Sequence, residues 1–230
     1  MWNGKSKAIT FSFDDGVIQD VRAIEILNKY NLKATFNLNS SLLGIPVYFQ
    51  DGDKNITRNK IKPCDIKEVY CGHEVAVHTL THPRLTDFDE SVIIHQVETD
   101  RKVLSELCGY EVIGMTYPCG GVNNDDRVAR IIREKTGVKY ARTITSTYKF
   151  DLQKNLYRFN PSVYYSENNL FDIVNNFLTF NGDRHQLLYI WGHTFEMDDN
   201  LISWDKFEDL CKMISNKKDI FYGTNKEVLL

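Results

Sequence analysis

Short apolar runs alternate with amphipathic stretches along most of the 230-residue chain. The runs are rich in β-branched and aromatic residues, which is typical of buried strands. In the amphipathic stretches the apolar residues lie three or four positions apart, the spacing of a helix with one buried face. The pattern predicts strands at 8–13, 34–38, 74–78, 112–117, 139–143, 187–191 and 220–224. It predicts helices at 17–30, 89–107, 125–135, 170–180 and 204–214.

Two stretches show neither pattern. Residues 40–65 are predicted to form an insertion or a long surface loop, and the DGDKN sequence within them is typical of a turn. Residues 144–168 give no interpretable periodicity. The first stretch is interrupted by Gly44, Pro46, Gly52 and Pro63.

The repeated strand–helix units predict an α/β fold with a mostly parallel sheet. Parallel strands joined by right-handed crossovers form either a barrel or an open sheet. No internal repeat and no linker rich in Pro, Gly or Ser divides the chain, so we expect a single domain over residues 1–230. In such folds the functional groups gather at the carboxyl ends of the strands.

The overall composition excludes several classes of function. Lys and Arg number 28 and Asp and Glu number 31, so the net charge is −3, which argues against binding nucleic acid through its phosphates. No apolar run reaches the roughly 18 residues that span a bilayer. The N-terminus lacks the features of a signal peptide, so we expect a cytoplasmic protein, or else a shortened form of a secreted one. The five cysteines are scattered and include no CxxC pair, which fits a reducing compartment.

Carboxylates and imidazoles follow two of the predicted strands. Asp14 and Asp15 come directly after the first strand, and His78 and His82 come at and after the end of the third. The two histidines face one side if the residues between them form a helical turn. One carboxylate and two imidazoles form the ligand set of an open, catalytic metal site. A capped turn at the aspartates and a chance pair of histidines are the alternatives.

Two further segments lie at strand ends. The loop Tyr117-Pro118-Cys119-Gly120 exposes backbone amides that could bind an oxyanion, although a plain turn also explains it. His193 follows Trp191 and Gly192 and could act as a general acid, although a structural histidine is the alternative. His73 is expected to be structural, and His95 and His185 are expected to lie outside the site.

Four of these segments together resemble the motifs of the polysaccharide deacetylases, the NodB-homology domains of carbohydrate esterase family 4. The segments are TFSFDDG, GHEVAVHTLTHPRL, YPCG and IWGHTFE, and the resemblance extends from Ile9 to about Val228. It implies a distorted, incomplete (β/α) barrel.

The resemblance also implies a role for each residue. Asp14 is expected to be the catalytic base, His193 the general acid, and the Cys119 backbone amide an oxyanion donor. The expected cofactor is a divalent metal ion, Zn²⁺ first and Co²⁺, Ni²⁺, Mn²⁺ or Fe²⁺ as alternatives. Its expected ligands are Asp15, His78 and His82. The residues expected to contact the substrate are Tyr117, Pro118, Gly120 and Trp191.

The chain departs from the family pattern at two positions. Thr116 stands where the family has an arginine that holds the catalytic aspartate, and Arg142 could replace that arginine or be a surface residue. The aspartate that orients the acid histidine cannot be located in 144–168. Glu196 could replace it, although a helix cap explains that residue equally well.

The sequence therefore predicts a metal-dependent hydrolase that removes N-acetyl or O-acetyl groups from an acetylated sugar or oligosaccharide. Hydrolysis of another small-molecule C–N amide bond is one alternative. A non-catalytic carbohydrate-binding protein is another, but the presence together of Asp14, Asp15, His78, His82 and His193 argues against it. A non-haem iron oxygenase shares the ligand set but needs neither Asp14 nor His193.

Overall fold

The computed structural model describes residues 1–51, 54–182, 184–199 and 201–230. The predicted DGDKN turn includes Gly52 and Asp53, which lie outside the described residues. The strands are β1 (Lys7–Asp14), β2 (Ala34–Leu38), β3 (Tyr48–Asp51), β4 (Lys54–Thr57), β5 (Glu74–Val77), β6 (Gly114–Thr116), β7 (Tyr140–Arg142), β8 (Val163–Tyr164), β9 (Gln186–Gly192) and β10 (Ile220–Tyr222). The α-helices are α1 (Gln19–Lys29), α2 (Ile66–Val69), α3 (Glu90–Cys108), α4 (Asp126–Lys135), α5 (Leu170–Thr179), α6 (Trp204–Ile214) and α7 (Asn225–Leu229).

The main sheet is parallel and curls on itself. Its strand order is β7-β6-β5-β2-β1-β9-β8, and β10 lies beside the first part of β1. At one end of this order, Arg142 of β7 forms an isolated bridge with Phe159, which precedes β8, the strand at the other end. The predicted distorted, incomplete (β/α) barrel is therefore confirmed. Because the strands are parallel, the loops at their carboxyl ends share one mouth.

Aromatic side chains from the central strands fill the interior. Phe13 of β1 is fully buried and packs against Phe36 of β2 and Phe207 of α6, with ring centroids 5.7 and 5.8 Å apart. Full burial of such a side chain contributes about 1.5–3 kcal/mol to stability. All residues of β1 and β9 are buried. Strands that are buried on both faces are rich in apolar residues, and this is why the sequence pattern predicts both of them.

The stretch 40–65 contains structure that the sequence did not reveal. Here β3 and β4 form an antiparallel hairpin, so the expectation of an irregular loop was wrong for these residues. The chain after β4 pairs with the loop after β1, through a bridge between Lys60 and Val17. That bridge is also why α1 begins at Gln19 and not at residue 17. Such pairings depend on backbone register between distant segments, which hydrophobic periodicity does not encode.

The C-terminal part also differs from the prediction. The strand predicted at 220–224 ends at Tyr222, because Thr224 caps a further helix, α7, which was not predicted. The backbone N–H of Thr224 donates to the Glu227 carboxylate at 2.8 Å, as in a capping box. Within the uninterpreted stretch 144–168 lies β8, only two residues long. None of the helices in the described ranges is long and apolar enough to cross a bilayer.

Candidate functional site

A cavity of about 240 Å³ opens at the carboxyl ends of the central strands. It gathers most of the residues singled out in the sequence, although these are spread over about 180 positions of the chain, from Asp14 to His193. Pro118, expected to contact substrate, is not among the lining residues, whereas Ile144 was not predicted. The lining residues are Asp14, Asp15, His78, His82, Tyr117, Cys119, Gly120, Ile144, Trp191 and His193.

The loops that carry these residues have an unusual backbone. Asp15, Thr79, His82 and Cys119 have positive φ angles of 84°, 66°, 62° and 67°. Non-glycine residues in this region cost about 1–3 kcal/mol each, and they persist where the surrounding structure holds them. The residues from His78 to His82 do not form the helical turn that was one way to bring the two histidines to the same side; the segment is a loop. It still brings the two imidazole rings to a centroid distance of 4.8 Å.

Buried polar side chains hold these strained loops. The Asn39 amide donates to the carbonyl oxygens of His78, at 2.5 Å, and Thr79, at 2.9 Å. The Asp100 carboxylate of α3 accepts from the backbone N–H groups of Ser40, at 2.6 Å, and His78, at 3.3 Å. Sequence analysis missed both residues. Asp100 did leave a signal, because it is a carboxylate on the buried face of an amphipathic helix.

Asp15, His78 and His82 form a cluster that fits a metal ion. One donor atom from each lies within 4.8 Å of the others. Asp15 Oδ1 is 3.6 Å from His82 Nε2 and 4.0 Å from His78 Nε2. Ligands at about 2.1 Å from a tetrahedral zinc ion lie about 3.4 Å from one another. The donor atoms therefore have to approach one another by at most about 1.4 Å to hold such an ion.

The hydrogen bonds of His78 leave its Nε2 atom available as a ligand. Its Nδ1 lies 3.2 Å from the Thr116 carbonyl oxygen, which can only accept, so we assign the ring proton to Nδ1. The Thr116 hydroxyl lies 2.7 Å from the same nitrogen. Burial lowers the pKa of His78 to about 4, although the negative charge of Asp14 acts to raise this pKa. The imidazole is therefore neutral near pH 7, as a metal ligand must be.

Lys60 is a neighbour of the cluster that sequence analysis missed. Its Nζ donates to the Asp15 carbonyl oxygen at 2.7 Å and lies 3.5 Å from Asp15 Oδ1. Burial raises the pKa of Asp15, but Lys60 and the nearby histidines outweigh it, so the pKa is lowered. No local motif marks Lys60, because the bridge to Val17 brings it there.

Asp14 lies beside the cluster and is held by three other side chains. Its Oδ1 accepts from Arg142 at 2.5 Å, from Asn37 at 2.8 Å and from Thr116 at 3.4 Å. Its Oδ2 also accepts from Arg142, at 2.5 Å. Burial raises the pKa of Asp14, but the Arg142 charge outweighs it and the pKa is lowered. The Asp14 carboxylate is therefore ionised, and its orientation is fixed by these hydrogen bonds.

Arg142 is fully buried, so its interpretation as a surface arginine is wrong. Each of its three guanidinium nitrogens has a different partner. Nη2 binds Asp14, Nε donates to the Ser12 hydroxyl at 3.2 Å and Nη1 donates to the Thr143 carbonyl oxygen at 3.0 Å. The guanidinium carbon also lies 4.6 Å from the centroid of the Trp191 ring.

His193 lies opposite the metal-ligand cluster, at the end of β9. Its Nδ1 is 3.0 Å from Glu196 Oε1, and its backbone N–H donates to Glu196 Oε2 at 3.3 Å. Burial lowers the pKa of His193, but Glu196, Asp14 and Asp15 outweigh it and raise the pKa to about 9. The residue before it has to be glycine, because a Cβ at Gly192 would lie 1.7 Å from the Tyr165 ring.

The loop after β6 is fixed by Asn123, another residue that was missed. Its side-chain amide donates to three successive carbonyl oxygens, those of Tyr117, Pro118 and Cys119, at 3.2, 3.1 and 2.7 Å. Burial raises the pKa of the Cys119 thiol, so the thiol is neutral at pH 7 and a poor nucleophile. This leaves its backbone amide as the group of interest.

The three histidines for which no site role was expected are not among the residues that line the cavity. His73 accepts from the Ala34 backbone N–H at 3.1 Å, and burial lowers its pKa to about 4. His95 lies 3.2 Å from the Thr99 hydroxyl on the exposed side of α3. His185 packs edge-on against Trp2 at a centroid distance of 5.4 Å.

Residues 3–141 match the family model of the polysaccharide deacetylases. The peptidoglycan-N-acetylglucosamine deacetylase PgdA of Listeria monocytogenes is 29% identical over 121 residues, which are 51% of this chain and 22% of that protein. The aligned part thus spans about a fifth of the relative's length.

Solved structures agree on the fold. The Xyl-CE4 domain of a xylanase from the hindgut metagenome of Trinervitermes trinervoides has a TM-score of 0.58 and 18% identity, over 98% of this chain and 90% of that one. A family 4 acetyl xylan esterase of Clostridium thermocellum, solved with a cobalt ion, has a TM-score of 0.58 and 16% identity, over 96% of this chain and 89% of that one. With the family model covering more than half of the sequence, this chain belongs to the polysaccharide deacetylase family.

Proposed function

We propose that this protein removes acetyl groups from an acetylated carbohydrate by metal-dependent hydrolysis. One observation carries the proposal: a single cavity joins a metal-ligand set to an ionised carboxylate, Asp14, and to a histidine with a raised pKa, His193. Hydrolysis of an amide needs both a base and an acid, and a metal site alone would not require the other two groups.

Asp15, His78 and His82 would hold the ion. A bound divalent ion polarises the acetyl carbonyl and lowers the pKa of a bound water. A mixed set of carboxylate and imidazole ligands suits zinc, cobalt, nickel, manganese and iron alike, so the ion is a matter for measurement. The cobalt ion in the Clostridium thermocellum relative is consistent with this range.

Asp14 would take the proton of the attacking water. Among the described residues its Oδ2 accepts a hydrogen bond from Arg142 alone, so a lone pair remains for that proton. Arg142, Asn37 and Thr116 fix the plane of the carboxylate, which keeps Oδ2 aimed while the water attacks. The Cys119 backbone N–H would donate to the carbonyl oxygen as negative charge develops there.

His193 would complete the reaction. With Nδ1–H directed to Glu196, the proton on Nε2 is the one available for the leaving nitrogen. Its transfer lets the C–N bond break, giving acetate and a free amino sugar. An O-acetyl ester depends less on this step, because an alkoxide is a better leaving group than an amide anion. The same residues could thus act on either bond, and N-acetyl groups make the greater demand on His193.

The experiment is an assay of acetate release from N-acetylglucosamine oligomers and acetylated xylan, with elemental analysis of the protein. We expect turnover that a chelator abolishes and Zn²⁺ or Co²⁺ restores. We expect His193→Asn to lose turnover and His95→Asn, a change at an exposed histidine, to keep it. If the protein releases an amine from other small amides but no acetate from these carbohydrates, the alternative of hydrolysis at another C–N amide bond is favoured. Carbohydrate binding without turnover would favour a non-catalytic protein.

A further inference from the structure

We propose that a groove beside α4 binds negatively charged groups of the substrate, and that the substrate is an acetylated polysaccharide that carries carboxylates. The inference rests on the proposed function, because it names the class of carbohydrate that the cavity would act on. The groove has a volume of about 420 Å³ and shares no lining residue with the cavity described above. Its charged lining residues are Asp126, Arg127, Arg130 and Arg133.

The groove is positively charged in a chain whose net charge is −3. Three arginines and one aspartate give its lining a charge of +2, so the rest of the chain carries −5. Asp126, the acid among these residues, is itself bound by Arg158 at 2.6 Å. Like charges three positions apart on a helix are neighbours and repel, which applies to Arg127, Arg130 and Arg133. A bound anion would relieve this repulsion.

The contacts of the three arginines neutralise little of their charge. Arg127 donates to two backbone carbonyl oxygens, at 2.9 and 3.1 Å, which hold the guanidinium but carry no net charge. Arg133 lies 2.9 Å from the carboxylate of Glu134, and this pair is exposed, so it is worth at most about 1 kcal/mol. Arg130 is exposed, and within the described ranges it has no ion pair or hydrogen bond. The groove therefore keeps charge for a ligand.

The groove begins near the wall of the cavity. Because β6 and β7 are parallel, the helix that connects them, α4, starts at the mouth and runs back along the outside of the barrel. Arg127, in its first turn, holds the carbonyl oxygens of Thr86 and Phe88. The Thr86 hydroxyl in turn donates to the carbonyl oxygen of Val122 at 2.7 Å. Val122 is two positions after Gly120, which lines the cavity, so one carbohydrate chain can reach both places.

Arg84 places a further positive charge at the mouth. A Cβ at Gly121 would lie 3.9 Å from Arg84 Nη2, so the guanidinium lies beside the loop that carries Gly120. Its Nη1 is 4.0 Å from Asp87 Oδ2, a long contact between two exposed groups. Arginines are therefore present both at the mouth and along the groove.

The arrangement suits separate carboxylates on a chain of sugars better than a phosphate. Positions three apart on a helix differ by about 4.5 Å along its axis, so the arginines form a row. Phosphate sites instead gather N–H groups and cations around one point. Each guanidinium can bind one carboxylate through two parallel hydrogen bonds. The half-buried Tyr157 lines the same groove, and its ring offers an apolar surface to the face of a sugar.

Equilibrium binding tests the groove without turnover. The probe is a fluorescent oligosaccharide of alternating N-acetylglucosamine and glucuronic acid, and its carboxyl-reduced form is the neutral comparison. The groove variant combines Arg130→Gln and Arg133→Gln, since glutamine keeps the helix propensity and removes the charge. For the acidic probe we expect Kd to rise about 2- to 30-fold, the effect of losing two exposed ion pairs. Added salt should reduce this difference, because it screens exposed charges.

The control variant combines Lys206→Gln and Lys212→Gln, which removes the same charge from exposed positions of α6. We expect it to bind the acidic probe as wild type does. An equal loss of binding in both double variants would overturn the inference, because net charge alone would then explain it. Equal binding of the neutral probe, or of a polyphosphate with the same charge as the acidic probe, would also overturn it.

Acetate release separates this inference from the proposed function. On the acidic oligosaccharide we expect the groove variant to raise KM by the factor seen in binding and to change kcat less. A protein that shows the expected binding but releases no acetate from any carbohydrate would contradict the proposed function and support the groove. Acetate release together with an unchanged Kd in the groove variant would overturn the groove and support the proposed function.

Discussion

Asp15, His78 and His82 line the cavity from the loops after β1 and β5, whereas His193 lines it from the end of β9. Arg142, at the end of β7, is buried and binds Asp14. We call the first three residues the metal side, and His193 with Arg142 the proton-transfer side, with Asp14 between them. The family model ends at residue 141, so it includes the metal side and excludes the proton-transfer side. The boundary of the family match thus falls between the two.

The difference shows how each side is built. The metal side uses ligands within two short segments, whose strained loops are fixed by nearby polar groups such as Asn39. The proton-transfer side depends on contacts between remote segments: Arg142 binds Asp14 across 128 positions, and Tyr164 binds Glu196 across 32. We therefore expect changes on the metal side to remove the metal, and changes on the proton-transfer side to lower the rate while the metal stays bound.

The largest effect is expected from Asp15→Asn. The amide is a weaker ligand than the carboxylate and removes the negative charge of the ligand set, so both the ion and the hydrolysis should be lost. Elemental analysis and acetate release measure the two losses. A variant that keeps a full complement of metal would show that the metal side is assigned incorrectly.

Asp14→Asn is expected to separate the two sides. It removes the base but no ligand, so the metal should remain while the rate falls about 10²- to 10⁴-fold. The same two measurements apply, with Asp15→Asn as the matched comparison. If Asp14→Asn strips the metal and Asp15→Asn does not, the two aspartates have the opposite roles.

Changes at Arg142 test whether its contact with Asp14, which joins the two sides, is needed for stability and for rate. Arg142→Ala leaves the buried Asp14 carboxylate unpaired, and loss of one partner of such a pair costs about 3–5 kcal/mol of unfolding free energy. Arg142→Lys should lose nearly as much rate as Arg142→Ala, because an ammonium cannot bind Asp14, Ser12 and Thr143 together. Urea denaturation and acetate release check both statements. Full activity in Arg142→Lys would contradict them.

The smallest effect is the pH dependence of stability that comes from His193. Its pKa in the folded protein, about 9, exceeds the ordinary 6.5, so the protonated form stabilises the fold. This contribution is complete below about pH 6.5 and is lost as the pH rises to about 9. Urea denaturation should therefore show that wild type exceeds His193→Gln in stability by more at pH 6 than at pH 9.5. A difference that grows with pH would mean that His193 is buried neutral.

Much of the fold was predictable because both faces of the central strands are buried. β1, β2 and β9 are fully buried strands with several β-branched and aromatic residues, and the amphipathic helices between them show a single buried face. The β3–β4 hairpin and α7 were not predictable in this way. Their formation depends on backbone pairing and on a capping box, neither of which leaves a hydrophobic period.

The sequence by itself determined the α/β class with a parallel sheet, because this depends on hydrophobic periodicity. The resemblance of its four motif segments to the polysaccharide deacetylases further implied the incomplete barrel and the family. Only the tertiary structure decided that Arg142 is buried on Asp14, that Lys60 lies on Asp15 and that Glu196 turns one oxygen to His193. Each of these contacts joins groups whose distance depends on how loops and strands pack. The sequence specifies which residues are charged, but the fold determines which groups lie next to them.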